Sequence, residues 1–314
     1  MNNALSKVVF TRILLFTFYF FLLFTSSYAG GPGTAAGAFL KIGVGAKSVA
    51  MGEASTAVAN DASAIYWNPA AVSKLSQKEI SLMHNVWLAG INHDFLGYVH
   101  PFSRFNFGIA VILLTMEPIP LTTMETTWLT TENFTANSNA VLLNFSRKEK
   151  YFLWGLNLKF VQEKIYNYSA SAYAVDLGAL YYWQKFGLDL GLSVRNVGTQ
   201  MKFIEESDPL PLEVRLGASH YLLKKKLMIG FDISQPIDNK TGLHLGLQYQ
   251  LVNFLLLRLG YKYKFGGNDI EGTGLSAGIG VNWKMLSFDY AFVPFGTLGD
   301  THRISMSFRF GKVL

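Results

Sequence analysis

The chain offers few residue patterns that could carry out covalent chemistry. Gly43-Val44-Gly45-Ala46-Lys47-Ser48 has the look of a phosphate-binding loop, but Ala46 occupies the position before the lysine where glycine is needed. Gly272 to Gly280 imitates the glycine spacing of a dinucleotide site without the strand-turn-helix context that gives it meaning. His93 and Asp94 are adjacent, so on a strand they point to opposite faces. The six histidines show no ligand spacing and the chain has no cysteine, which removes thiolate nucleophiles and thiolate metal sites. No catalytic residue, metal ligand or cofactor is therefore expected. What remains is a set of charged residues on the small-residue faces of alternating segments: Asp176, Asp189, Arg195, Glu213, Arg215, Asp232, Asp289, Arg303 and Arg309. Of mixed sign and spread over many segments, they are expected to pair with one another wherever water is excluded.

The segments that hold these charges alternate with period two. Leu188, Leu190, Leu192 and Val194 oppose Asp189, Gly191, Ser193 and Arg195; Leu227, Ile229, Phe231 and Ile233 oppose Met228, Gly230, Asp232 and Ser234. Counting such runs predicts about fourteen strands, an even number as in single-chain bacterial barrels. They fall at 78–87, 92–100, 104–115, 138–147, 151–164, 171–182, 186–196, 212–222, 226–235, 241–251, 253–265, 273–283, 285–293 and 301–310. Links after even-numbered strands are tight, whereas 116–137 and 197–211 are long, the two-sided asymmetry of an outer-membrane barrel with both ends on the short-turn side. Loop 116–137 carries Trp128 and Phe134 as candidate contact residues for a ligand or cargo; a plain solvated loop is the alternative. A soluble β-sandwich also alternates, but the long runs and the abundance of apolar faces argue against a single sandwich core. So do aromatics such as Trp87, Tyr151, Trp154, Tyr182, Tyr221, Trp283, Tyr290 and Phe310, which crowd near strand ends where interfacial girdles belong.

Half of the residues are hydrophobic and 15% are charged, against about 25% charged in average soluble domains. Residues 1–29 read as a secretory leader: Lys7 and Arg12, the apolar run Ile13 to Phe24, then Ser27-Tyr28-Ala29 as the cleavage site. Beyond it no stretch is long and apolar enough for a spanning helix. The formal net charge is +6, two of it from that leader, with no basic cluster suited to nucleic acid. The expectation is an all-β, transmembrane antiparallel barrel in a bacterial outer membrane, bounded by lipid: signal peptide 1–29, N-terminal hatch 30–75, barrel 76–314. The Gly-, Ala- and Ser-rich stretch near 33–72 lacks alternation and is the candidate plug. Inner-face glycines (Gly178, Gly187, Gly191, Gly217, Gly230, Gly246, Gly260, Gly274, Gly278 and Gly280) leave room for a second backbone, or simply ease strand curvature. Asp61 and Asn68 are expected to hold the hatch through polar contacts to lumen groups, and Pro69 restricts the backbone there.

Phe39-Leu40-Lys41-Ile42-Gly43-Val44-Gly45-Ala46-Lys47, Met51-Gly52-Glu53-Ala54 and Asp61-Ala62-Ser63-Ala64-Ile65-Tyr66-Trp67-Asn68-Pro69-Ala70 together resemble the amino-terminal signature of the PorV/PorQ family. That family sits with the FadL-type outer-membrane transporters, whose hatch also contains Asn-Pro-Ala. Later segments, including Val194-Arg195-Asn196-Val197-Gly198 and Arg258-Leu259-Gly260-Tyr261, are similar to its strand motifs. The resemblance implies fourteen strands and an internal hatch involving Asp61, Tyr66, Trp67, Asn68 and Pro69. For function it implies secretion-associated handling of exported proteins, with a type IX-like translocon as partner. The alternative it implies is a gated conduit for hydrophobic small molecules such as long-chain fatty acids. The chain is shorter than the fatty-acid transporters, and its longest loop follows the third strand.

Overall fold

The computed structural model describes residues 33–121, 133–265 and 274–313. The expected leader and Trp128 lie outside the described residues. Fourteen antiparallel strands close into one barrel. The first half comprises β1 (Lys78–Val86), β2 (Asn92–Pro101), β3 (Asn106–Thr115), β4 (Ala136–Glu149), β5 (Phe152–Ile165), β6 (Tyr168–Trp183) and β7 (Leu188–Gly198). The second comprises β8 (Glu213–Leu222), β9 (Leu227–Pro236), β10 (Gly242–Val252), β11 (Leu255–Lys264), β12 (Gly274–Trp283), β13 (Leu286–Pro294) and β14 (Asp300–Phe310). Neighbours in sequence pair with one another, and β1 closes on β14 with Lys78 opposite Phe310 and Val86 opposite His302. Each expected strand is present, with ends shifted by a few residues. Two small ribbons rise from the long links, Ile119–Pro120 with Asn133–Phe134 and Met201–Lys202 with Ser207–Asp208. Phe134 is thus a half-buried ribbon residue.

Alternation fixes which face is which. Leu96, Leu158, Leu177, Leu259, Leu275 and Ile304 point outward and are 47–66% exposed. Soluble monomers rarely leave so continuous an apolar surface open, whereas a bilayer-facing barrel wall requires one. The inward residues are mostly glycine, serine or charged on β8–β14 and more often apolar on β2–β6, and together they surround residues 33–77. Among the described residues this segment has no strand. It consists of a 3-10 turn at Ala38–Lys41, α1 (Ala46–Ala50), α2 (Ala64–Trp67) and a second 3-10 turn at Pro69–Lys74. Its small side chains are what permit the fit: Ala46, Ala50, Ala54, Ala57, Ala62, Ala64, Ala70 and Ala71 are fully buried.

The inner-face glycines meet this segment directly. A Cβ at Gly155 would lie 2.5 Å from the Pro69 carbonyl oxygen, and one at Gly246 would lie 2.6 Å from that of Met51. Gly178, Gly191, Gly217, Gly230, Gly260 and Gly278 are likewise closed over by hatch atoms. Three expected members are corrected: Gly187 sits in a turn beside His220, Gly274 faces open space, and Gly280 is filled by the Arg258 and Asp289 side chains.

Candidate functional site

The hatch divides the lumen into two vestibules, and the polar residues expected from the sequence hold it in place. Pro69 opens the second 3-10 turn, and Asn68, extended and fully buried, caps it by accepting from the Ala70 N–H at 3.1 Å. The Asn68 amide donates to Thr56 O within the hatch (2.8 Å) and to Ala179 O on β6 (3.2 Å). Tyr66 and Trp67 lie edge to face at 4.8 Å and donate to Leu40 O and Val44 O, tying the two halves of the hatch together. Asp61 departs from expectation. Its carboxylate accepts from the Ser63 N–H (3.0 Å) and hydroxyl and lies 3.4 Å from Lys47, so its partners belong to the hatch and not to the wall. The physical reason is proximity: the turn at 61–63 brings Ser63 within local reach. Burial pushes the Asp61 carboxyl up, but the Lys47 charge and the Ser63 bonds outweigh it and hold it below the usual range.

From the wall, Asp232 on β9 accepts from the Ser55 N–H (3.0 Å), the Thr56 N–H (2.9 Å) and the Thr56 hydroxyl (2.6 Å), with Arg215 at 3.7 Å. Arg215 donates to Glu53 O at 2.9 Å and sits over the Trp67 ring at 5.0 Å. Arg195 pairs with Glu213, stacks on Tyr66 at 4.4 Å and donates to Tyr66 O. Arg303 donates to Gly43 O at 3.2 Å and stacks on Trp87 at 5.1 Å. Asp289 pairs with Arg258 at 2.7 Å. Asp176 takes Lys159 at 2.9 Å and the Asn196 N–H at 2.8 Å, where a register shift between β6 and β7 puts Asn196 at φ 62°. Asparagine tolerates that left-handed backbone. Arg309 pairs with Glu79, whose carboxylate accepts the Ala62 N–H at 2.7 Å. Asp189 faces the lower vestibule beside Lys74.

Several latch residues were not nominated from the sequence: Glu53, Glu79, Lys159, His244, Arg258 and Lys262. Lys262 donates to Glu53 at 2.8 Å, and His244 bonds Gly52 O at 2.8 Å through Nδ1. Burial raises the Glu53 carboxyl, and the charges of Lys262, Arg215 and Arg303 bring it below its ordinary value. The available signal was parity, since Lys159, Arg258 and Lys262 share a face with inner glycines.

Toward the long-loop end lies a cavity of about 520 Å³, within the size range of small-molecule sites. One wall is apolar: Trp87, Leu88, Leu114, Val293, Phe295 and Leu298 from the ends of β1, β3 and β13 and their loops. The hatch contributes Phe39, Leu40, Ile42 and Val49, and Trp87 packs on Phe295 at 4.9 Å. The opposite wall is charged, with Arg195, Arg215 and Lys262 engaged in the latches. Trp87, expected in an outer aromatic girdle, therefore belongs to the lumen. Toward the short-turn end a smaller cavity of about 320 Å³ is mostly polar, lined by Lys74, Glu79, Tyr182, Asp189, Tyr221 and Arg309.

Residues 27–161 match the profile of the family described as "Uncharacterised protein family (UPF0164)". No curated protein sequence matches the chain. In three dimensions the chain is similar to the Ralstonia pickettii toluene transporter TbuX, at 13% identity and TM-score 0.60, over 86% of this chain and 99% of that one. It is similar to the Pseudomonas putida toluene transporter TodX at 14% identity and TM-score 0.59, covering 85% and 98%. It is also similar to the CymD monoaromatic hydrocarbon channel at 13% identity and TM-score 0.63, covering 87% and 99%. At these identities the likeness establishes a shared fold: a closed fourteen-stranded barrel of the outer-membrane type.

Proposed function

We propose that the protein is an outer-membrane conduit for hydrophobic small molecules, gated by the hatch. The observation that carries this reading is the apolar-walled cavity at the long-loop end, floored by the hatch and separated by it from a polar vestibule. An apolar solute entering between the long loops would leave water for the surface formed by Trp87, Leu114, Phe295, Phe39 and Leu40, a gain of ~25 cal/mol per Å² of apolar area buried. Passage then requires the hatch floor to shift, since its backbone seals against the wall glycines. The fold likeness to hydrocarbon channels supports this reading over the secretion-associated role implied by the PorV/PorQ resemblance, which gains nothing from the comparisons. Gentle detergent extraction followed by mass spectrometry of what stays bound tests it. Hydrophobic small molecules, lost when Leu114 and Phe295 are changed to Asp, are the expected result. Retention of exported polypeptides instead, abolished by deleting 116–137, would transfer the function to secretion.

A further inference from the structure

The two rims of the barrel differ in charge. In the short turns that close β2–β3, β4–β5, β6–β7, β8–β9 and β12–β13, the charged residues among those described are basic apart from Glu149, which is paired with Arg147. The turn at 223–226 has three consecutive exposed lysines, Lys224, Lys225 and Lys226, and Lys150, Lys185 and Lys284 are exposed on other turns. The long-loop rim exposes Glu117, Glu205, Glu206, Asp208 and Asp300 together with Lys164 and Lys202, so its charges are of mixed sign. This asymmetry between the rims is invisible in the modest net charge of the whole chain.

The basic rim is also apolar. Phe186, Leu223, Trp283 and Met285 are 51–64% exposed beside the lysines of three of these turns, and Phe254 is 57% exposed on the uncharged turn between β10 and β11, so cations and hydrophobes neighbour one another along the rim. The ammonium groups of Lys150, Lys185 and Lys284 lie 4.9, 5.5 and 5.7 Å from the ring centres of their neighbours Tyr151, Phe186 and Trp283. Lys150, Lys224, Lys225 and Lys284 have φ between 47° and 70°, a backbone region that favours glycine or asparagine, yet lysine stands at each. A surface meant only for water needs charge without the exposed rings. One lying at the boundary of hydrocarbon and headgroups needs both: rings at the interface and long cationic side chains reaching to phosphate.

We propose that the short-turn rim is a docking surface for the phosphate headgroups of anionic phospholipids in the adjoining leaflet, fixing the barrel's depth and orientation. The proposal rests on the membrane-spanning reading above. It is tested with the full mature chain folded into vesicles of phosphatidylcholine alone or mixed with phosphatidylglycerol. Folding is scored by resistance to heat unfolding on a gel, and lipid preference by native mass spectrometry of the released barrel with its bound lipid. Phosphatidylglycerol is expected to be enriched about tenfold over phosphatidylcholine, because each cation near an anionic surface adds to the attraction. High salt should erase the preference as the screening length falls from ~10 Å at 0.1 M to ~3 Å at 1 M. The combined variant Lys185→Gln, Lys224→Gln, Lys225→Gln, Lys284→Gln should fold and lose the enrichment, while the same four changes to Arg should keep it. A folded barrel with no enrichment, or enrichment unchanged in the Gln variant, overturns the proposal and leaves the conduit reading intact. Retention of poly-glutamate on the rim in phosphatidylcholine, without lipid preference, would reassign the surface to an acidic protein. Failure to fold into either vesicle overturns the membrane-spanning reading itself.

Discussion

The hatch is held differently by the two halves of the wall. Against β2–β6 it forms a continuous apolar core: Ile65, Tyr66, Trp67, Ala70 and Val72 pack with Phe95, Val99, Ile112, Leu142, Leu153 and Leu180. Against β8–β14 the apolar clusters are small, Ala46 and Ala50 with Ala291, and Met51 and Val58 with Met228. There the attachment is polar: Asp232 to Ser55 and Thr56, Lys262 to Glu53, Ser276 to Gly52, and Ser305 to Ala46. A packed core resists partial displacement because a gap of about 1 Å already forfeits roughly a quarter to a half of the contact energy. Hydrogen bonds and ion pairs to backbone can be exchanged for water at little net cost. On the proposed gated-conduit reading, the contrast places the moving part near residues 38–60, which floor the apolar cavity and reach the core through Phe39, Leu40, Val44 and Val49, and the fixed part near residues 64–75.

That contrast can be broken from either side. Trp67→Ala should cost ~3–5 kcal/mol through loss of a large buried side chain and should free the whole hatch, read as new protease cuts both before and after residue 60. Asp232→Ala should cost a similar ~3–5 kcal/mol, because Arg215 is left buried without its partner and three donors lose their acceptor, but the new cuts should fall only within 46–60. Gly246→Ala and Gly155→Ala, which push a methyl against the backbone of Met51 and Pro69, should each cost about 1–3 kcal/mol by overpacking and displace the movable and fixed parts respectively.

The smallest effects are those of pH. The lowered Asp61 carboxyl contributes stability that is present above its unfolded value of 3.8 and is lost as pH falls through the still lower folded value, so the turn at 60–63 should stay protected at pH 4 and loosen only below it. Lys74 is shifted the opposite way: burial, set against the Asp189 charge, pushes its ammonium down to about 8. Between about 8 and its unfolded value of 10.5 the undocked chain binds more protons, so closure should strengthen as pH rises through that window. Hydrogen exchange of the hatch amides across both ranges would read these shifts.

Strand positions were legible because one inward and one outward residue alternate through every strand, and the hatch because alternation stops where alanine and glycine accumulate. The inward charges were legible as a set and not as pairs. Arg258 meets Asp289 across an intervening strand, and Arg309 meets Glu79 across the barrel closure, geometries fixed by register. Asp232 could be placed in the lumen from its neighbours Gly230 and Ser234. Nothing in its sequence surroundings points to Ser55 and Thr56, 177 and 176 residues away. Asp61 misled for the converse reason, since a local serine satisfied it. The aromatic residues were assigned to an outer girdle by their nearness to strand ends. Trp87, Tyr182 and Tyr221 instead turn inward to line the vestibules.

The chain's lack of cysteine makes the movement of residues 38–60 directly testable. A Cβ placed at Gly230 lies 3.4 Å from that of Ala54 and 2.8 Å from Val58 Cγ2. The first distance is close to disulfide range, so the Ala54→Cys, Gly230→Cys pair, made in a Val58→Ala background that clears the wall position, should bridge hatch to wall. Entry of radiolabelled toluene and oleate into vesicles carrying the folded double-cysteine variant is compared when oxidised and when reduced, with each single-cysteine variant as a control. The account predicts that oxidation stops entry, that reductant restores it, and that neither single variant responds. Entry through the bridged barrel at the rate of the reduced one would contradict a moving hatch.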